Sequence, residues 1–145
     1  MGFHYNFSAV RGLQSGREYY IAMVPLCLLS KLFSNEEEYL MPEFRAQRTI
    51  NEARIPEIRD YILNNPTSYV FSALAASIDG EFTFVKSELD DNIGMLQIDM
   101  SAVLLINDGQ HRKAAIEAAL NENPNLGKET IAIVLYKDEG LKRSQ

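Results

Sequence analysis

A chain of 145 residues, 46% hydrophobic and 23% charged, fits one domain with a sizeable core and does not fit disorder. Its single cysteine excludes an internal disulfide and suits a reducing cytoplasm; its longest apolar run, 21–29, is too short for a bilayer, and residues 1–12 lack a secretory-signal pattern. The net charge of −6 is the wrong sign for a domain that lives wholly on DNA phosphates.

In chain order, FHYNFSAV at 3–10 alternates aromatic and polar residues and reads as a strand. Arg11-Gly12 and Ser15-Gly16-Arg17 mark a loop, and 18–26 is strand-like until Pro25. CLLSKLF gives one or two helical turns, with Cys27 as a small buried hydrophobe. Ser34 followed by Glu37 is a capping-box pattern, opening a short acidic helix that ends before Pro42. Ala46, Ile50 and Ala53 stand at helical spacing in the next segment. Pro56 suits the first turn of a further helix, whose Ile58 and Ile62 face inward and which Asn64-Asn65-Pro66 ends. Residues 68–78 and 81–85 flank Asp79-Gly80 and read as a β-hairpin with a two-residue turn. KSELDDN is a solvated loop, GMLQIDM and VLLI are strands, a helix occupies 110–122, and TIAIVLY is the last strand. The order implies helices on one or both faces of a mixed sheet, an α+β (or α/β) arrangement in a single domain spanning 1–145. The closing DEGLKRSQ reads as the start of another helix, so the sequence is expected to be the N-terminal piece of a longer protein.

The stretch with most chemical content is NDGQHR, where a strand turns into a helix. A helix start offers bare N–H groups and the positive end of the dipole. Gly109 permits close approach, Arg112 adds a planar fork for a phosphate oxygen, and Gln110 and His111 are further donors. Asp108 works against an anion. As N-cap it would take one or two of those N–H groups and repel a phosphate. A magnesium ion shared between Asp108 and a nucleoside triphosphate would relieve that conflict. Spacing alone leaves both readings open, a capped helix and a phosphate cradle.

A second candidate is the arginine segment. Arg45, Arg48, Arg54 and Arg59 fall within fifteen residues, opposed by Glu52 and Glu57. Arginine suits bidentate phosphate contact, so DNA is the partner this segment would meet; the bland alternative is a solvated helix face with an Arg48–Glu52 pair. One Cys and two His cannot build a four-ligand zinc site, and there is no Walker loop, GxSxG or Rossmann fingerprint. No residue is assigned a catalytic role.

Taken together, INDGQHRKAAIEAAL, RGLQSGREYY, AQRTINEARIPEIRDYI and NPTSYVFSALAASIDGE resemble the DndB family of DNA sulfur modification proteins, through essentially the whole chain. The resemblance implies a bacterial regulator of DNA phosphorothioation that binds promoter DNA of the modification genes. It also implies a DGQHR domain similar to the ParB and sulfiredoxin fold, in which a Gly-x-x-Arg turn at a helix start holds nucleotide phosphates. Gly109 and Arg112 match that turn. Sulfiredoxin carries a nucleophilic cysteine directly after the glycine, and ParB-type members carry an acidic residue there; here it is Gln110. Sulfinic acid repair is thereby excluded, and nucleotide binding is expected ahead of hydrolysis, since an amide cannot serve as a base.

The expectation is therefore a DNA-binding regulatory module, with Asp108 to Arg112 as a nucleotide or phosphate site and the four arginines on DNA. One rival is a nucleotide-dependent switch or NTPase on a ParB-like scaffold. Another is a protein-interaction module of the modification machinery. Oligomerisation is left open, and no membrane is involved.

Overall fold

The computed structural model describes residues 3–34 and 53–138. Seven strands form one mixed sheet: β1 (His4–Gln14), β2 (Arg17–Pro25), β3 (Leu74–Asp79), β4 (Phe82–Lys86), β5 (Ile93–Asp99), β6 (Val103–Asp108) and β7 (Thr130–Lys137). Their order across the sheet is β4-β5-β1-β2-β7-β3-β6, antiparallel throughout except for the β7–β3 pair. Three α-helices are described, α1 (Leu29–Leu32), α2 (Arg54–Asn64) and α3 (Gln110–Glu122), with 3-10 turns at Leu26–Leu28 and Pro124–Lys128. This is the expected α+β class. The helix expected before Pro42 and the stretch of the next one through Ala46 and Ile50 lie outside the described residues, as do Arg45 and Arg48.

The first hairpin is tighter than its composition suggests. β1 continues through Arg11 and Gly12 to Gln14, and only Ser15 (φ 54°) and Gly16 (φ 76°) make the turn. Two successive left-handed residues give the turn whose twist matches two antiparallel strands. Arg11 stays in the strand because its neighbours hold it there. It donates to the Asp91 carbonyl at 2.6 Å and lies 4.9 Å over the Phe84 ring.

Asp79-Gly80 does not close a hairpin. β3 pairs with β6 and β7, whereas β4 pairs with β5. Five ladders separate β3 from β4, which would be about 24 Å in a flat sheet. Yet only Gly80 and Glu81 lie between them, and three Cα steps reach at most about 11 Å. The sheet must therefore curl until β4, its outermost strand on one side, comes close to β3, the strand next to the opposite edge. At that corner Asp99 N donates to Glu81 O at 3.0 Å and Ala102 packs against Gly80.

Alternation then divides every strand between a concave and a convex face. The concave side holds the core, where Ala22, Val24, Leu74, Leu96, Ile133 and Leu135 are fully or almost fully buried. Leu29, Ile62, Ile116 and Leu126 from the helices and turns join the same cluster. Cys27, expected inside, is exposed, because the 3-10 turn sends Leu26 and Leu29 inward and Cys27 out. Among the described residues, no buried side-chain nitrogen or oxygen lacks a partner. No described helix is long and apolar enough to cross a membrane.

Candidate functional site

The NDGQHR turn forms at the open edge of the sheet. β6 pairs with β3 through a bulge, so that Ala76 faces Ile106 while Ala75 already faces Asp108. The extra residue, Asn107, is held by its amide to the Ser77 hydroxyl at 3.3 Å. A bulge bends its strand, and here it directs the chain into α3.

Gly109, not Asp108, occupies the N-cap position, with φ 113° and ψ 19°. That is a correction to the expected cap: no side chain caps this helix start. The conformation excludes a carboxylate cap, because the residue at the cap is left-handed and has no side chain. A Cβ at Gly109 would also collide with Leu74 Cδ2 and stand 3.2 Å from Arg112 Nη2. The first α-helical bond runs from Lys113 N to Gly109 O at 2.9 Å.

Asp108 instead pairs with Arg112, Oδ2 to Nη2 at 3.4 Å. The Asp108 side chain is 78% exposed and that of Arg112 only 19%. Arg112 Nη1 donates to the carbonyl of Ser72 at 3.1 Å and also to its hydroxyl. One side chain thus ties the end of β6, the start of α3 and the residue two before β3. Sequence reasoning missed Ser72, which lies forty positions away, and no local pattern marks it.

Ser72 is itself positioned by aromatic packing. Tyr61 on α2 and Tyr69 both lie against Phe71, at 5.9 and 5.7 Å between ring centres. The Tyr61 hydroxyl accepts from Val70 N at 2.8 Å, and the Tyr69 hydroxyl donates to Glu129. Burial, followed by that hydrogen bond and the Glu129 charge, pushes the Tyr69 phenol up to about 12. The segment between α2 and β3 is therefore pinned at both ends of its aromatic run.

Farther along α3, Lys113 bridges Glu117 at 3.1 Å, and Ser30 donates to the same carboxylate. Arg54 opens α2 and is exposed. Arg59 donates from Nε to Asp60 at 3.0 Å. The bond to Asp60, the Asp60 charge and the more distant Glu122 hold its pKa above the ordinary arginine value. Glu122 ends α3, about 18 Å along the helix from Gln110. The structure thus joins Asp108, Gly109 and Arg112 at one point, whereas Arg59 feels the charge of Glu122 at the other end of α3. Gln110 and His111 lie half-buried in the first turn of α3.

As a phosphate cradle the turn fits in part. Glycine geometry, an uncapped helix start and a guanidinium are present, but that guanidinium already serves Ser72 and Asp108. A phosphate would have to displace Asp108. No group of three His, Cys, Asp or Glu among the described residues is placed to hold a metal ion.

The family model for DndB, described as DNA-sulfur modification-associated, matches residues 7–145. The chain belongs to the DndB family. Membership ties this DndB-family chain to DNA sulfur modification. No curated protein and no solved structure matches the chain. Neither Arg112 nor the α2 arginines therefore inherits a role from a relative of known structure.

Proposed function

We propose that this DndB-family chain is a DNA-binding regulatory module for the sulfur-modification genes, acting in the bacterial cytoplasm. The observation that carries the reading is the family match over residues 7–145. Phosphate contacts would come from Arg54 and Arg59 on α2, together with Arg45 and Arg48. Neutralising phosphates releases counterions, so affinity should fall steeply with salt. The test is fluorescence anisotropy on promoter DNA of the modification genes at several ionic strengths. Arg54→Ala with Arg59→Ala should weaken binding and flatten the salt slope. Affinity that ignores both salt and these substitutions would end this assignment.

A second reading, a nucleotide-gated switch on a ParB-like scaffold, is favoured by the Asp108–Arg112 pair beside the left-handed Gly109. An exposed carboxylate is a weak partner, since ion pairs in water contribute about 1 kcal/mol or less. A nucleoside triphosphate could exchange with it, or share it through magnesium. Asp108→Asn should then strengthen thermal stabilisation by one of ATP, GTP or CTP, because repulsion is removed while Arg112 keeps Ser72. If none of the three raises the melting temperature of either form, the turn is a structural latch. Gln110 offers no base, so binding without turnover is the expected behaviour.

A further inference from the structure

Between α2 and β3 the chain runs outside the sheet. Asn65 ends α2 and turns the chain back, its carbonyl accepting from Ser68 N at 3.1 Å and Tyr69 N at 2.9 Å. Val70 and Ser72 then face solvent, while Phe71 packs on the core between Tyr61 and Tyr69. Two side chains hold the backbone here. The Tyr61 hydroxyl on α2 accepts from Val70 N at 2.8 Å, and Arg112 on α3 donates to the Ser72 carbonyl at 3.1 Å. β3 takes up its ladders only afterwards, at Leu74 with β7 and at Ala75 with β6. A backbone stretch that depends on side chains for its hydrogen bonds belongs to the low-stability end of a fold, where opening is local.

We infer that residues 69–73 form a strap through which the NDGQHR turn and α2 hold each other in place. Arg112, largely covered and lying between Ser72 and Asp108, is the fixed point at one end. Tyr61, two residues after Arg59 on α2, is the fixed point at the other. With the strap closed, Phe71 stays against the Tyr61 ring, 5.9 Å between centres, on a helix that packs against α3. With it open, α2 loses one of its supports. Resting on the phosphate reading of the turn given above, the strap also has a direction. A phosphate group that replaces the exposed Asp108 carboxylate would immobilise the guanidinium at Nη2, while Nη1 stays on Ser72. The strap then closes more firmly and α2 becomes better ordered. Ordering done by one ligand need not be repeated for the next. Occupancy of the turn should therefore favour whatever α2 binds, and by linkage the reverse.

The test is amide hydrogen exchange of the 145-residue chain, read residue by residue by NMR, with Arg112→Lys and Tyr61→Phe. Lysine keeps the charge without the planar fork, and phenylalanine keeps the ring without the hydroxyl. Arg112→Lys should speed exchange at Val70 and along α2 about tenfold, the scale of one charge-assisted hydrogen bond, with the amides of β1 and β2 as an unmoved reference. Tyr61→Phe should act in the opposite direction along the strap, on the Lys113 N–H that makes the first bond of α3. Lys113→Gln, which breaks only the bridge to Glu117, should leave α2 exchange as it was. If Arg112→Lys leaves α2 unmoved, or speeds α2 and the sheet alike, the proposal is overturned. Inorganic triphosphate with magnesium is the ligand probe, and it should slow exchange at Lys113 and along α2 together. Slowing at Lys113 alone overturns the coupling. Slowing at neither place defeats the phosphate reading of the turn, while the two substitutions still decide the strap.

Discussion

Gly109 and Arg112 carry the candidate site at the residue scale, and they do so for different reasons. Gly109 is required by its φ of 113° and by Leu74 packed beneath it. Gly109→Ala should therefore destabilise the fold by about 1–3 kcal/mol, the usual magnitude for backbone strain, read as a lower urea midpoint. An unchanged midpoint would mean that the turn relaxes. The glycine was legible from its place between a strand and a helix. The cap was not, because Asp108 fits the usual preference and only the left-handed backbone assigns the position to its neighbour. Tyr69 gives a second prediction. Its phenol is neutral when protonated, and the fold holds that proton more tightly than the unfolded chain does, near 12 against an ordinary 10. Its stabilising contribution is thus complete below pH about 10 and is lost as pH rises toward 12. Burial raises Tyr5 and Tyr20 in the same sense. Tyr69→Phe should reduce, without abolishing, the loss of melting temperature across that window. An unaltered pH profile would show that ionisation of the Tyr69 phenol does not limit stability in that window.

Elements decide where the residues meet. α2 exposes Arg54, Glu57 and Tyr61 and buries Ile62 at 1% exposure, with the partly buried Leu63 packed on the core beside it. Ile62→Ala should cost about 2–5 kcal/mol in urea unfolding, while Ile58→Ala, at a half-buried position, should cost clearly less. Equal losses would contradict this packing. The inward placing of Ile62 was readable from helical spacing, as were α3 over 110–122 and the strands β5, β6 and β7; Ile58, expected inward as well, is only half-buried. The β3–β4 hairpin misled because Asp-Gly between two apolar runs is a strong local signal. What overrides it is non-local: β3 finds ladders on both sides, in β7 and β6, and none is left for β4. The neighbourhood of Val10 was likewise only half legible: Ile21 faces it across the first hairpin, whereas Ile93 reaches it from a strand far along the chain.

For the whole molecule, a DNA complex built on arginines should loosen with added salt. The sheet order has a consequence of another kind. β4-β5-β1-β2 form one set of ladders and β3-β6 another, and the two sets share no ladder except through β7, which enters between β2 and β3. β7 is Thr130–Lys137, later in the chain than every strand it joins. During synthesis, six strands would wait as two half-sheets, each with a sticky open edge, until the seventh leaves the ribosome. Contacts so distant in sequence form slowly, and unpaired edges invite aggregation. The chain is thus most at risk in the interval before β7 emerges. A ribosome stalled there would hold two half-sheets, and holding them apart from other chains is work for a chaperone.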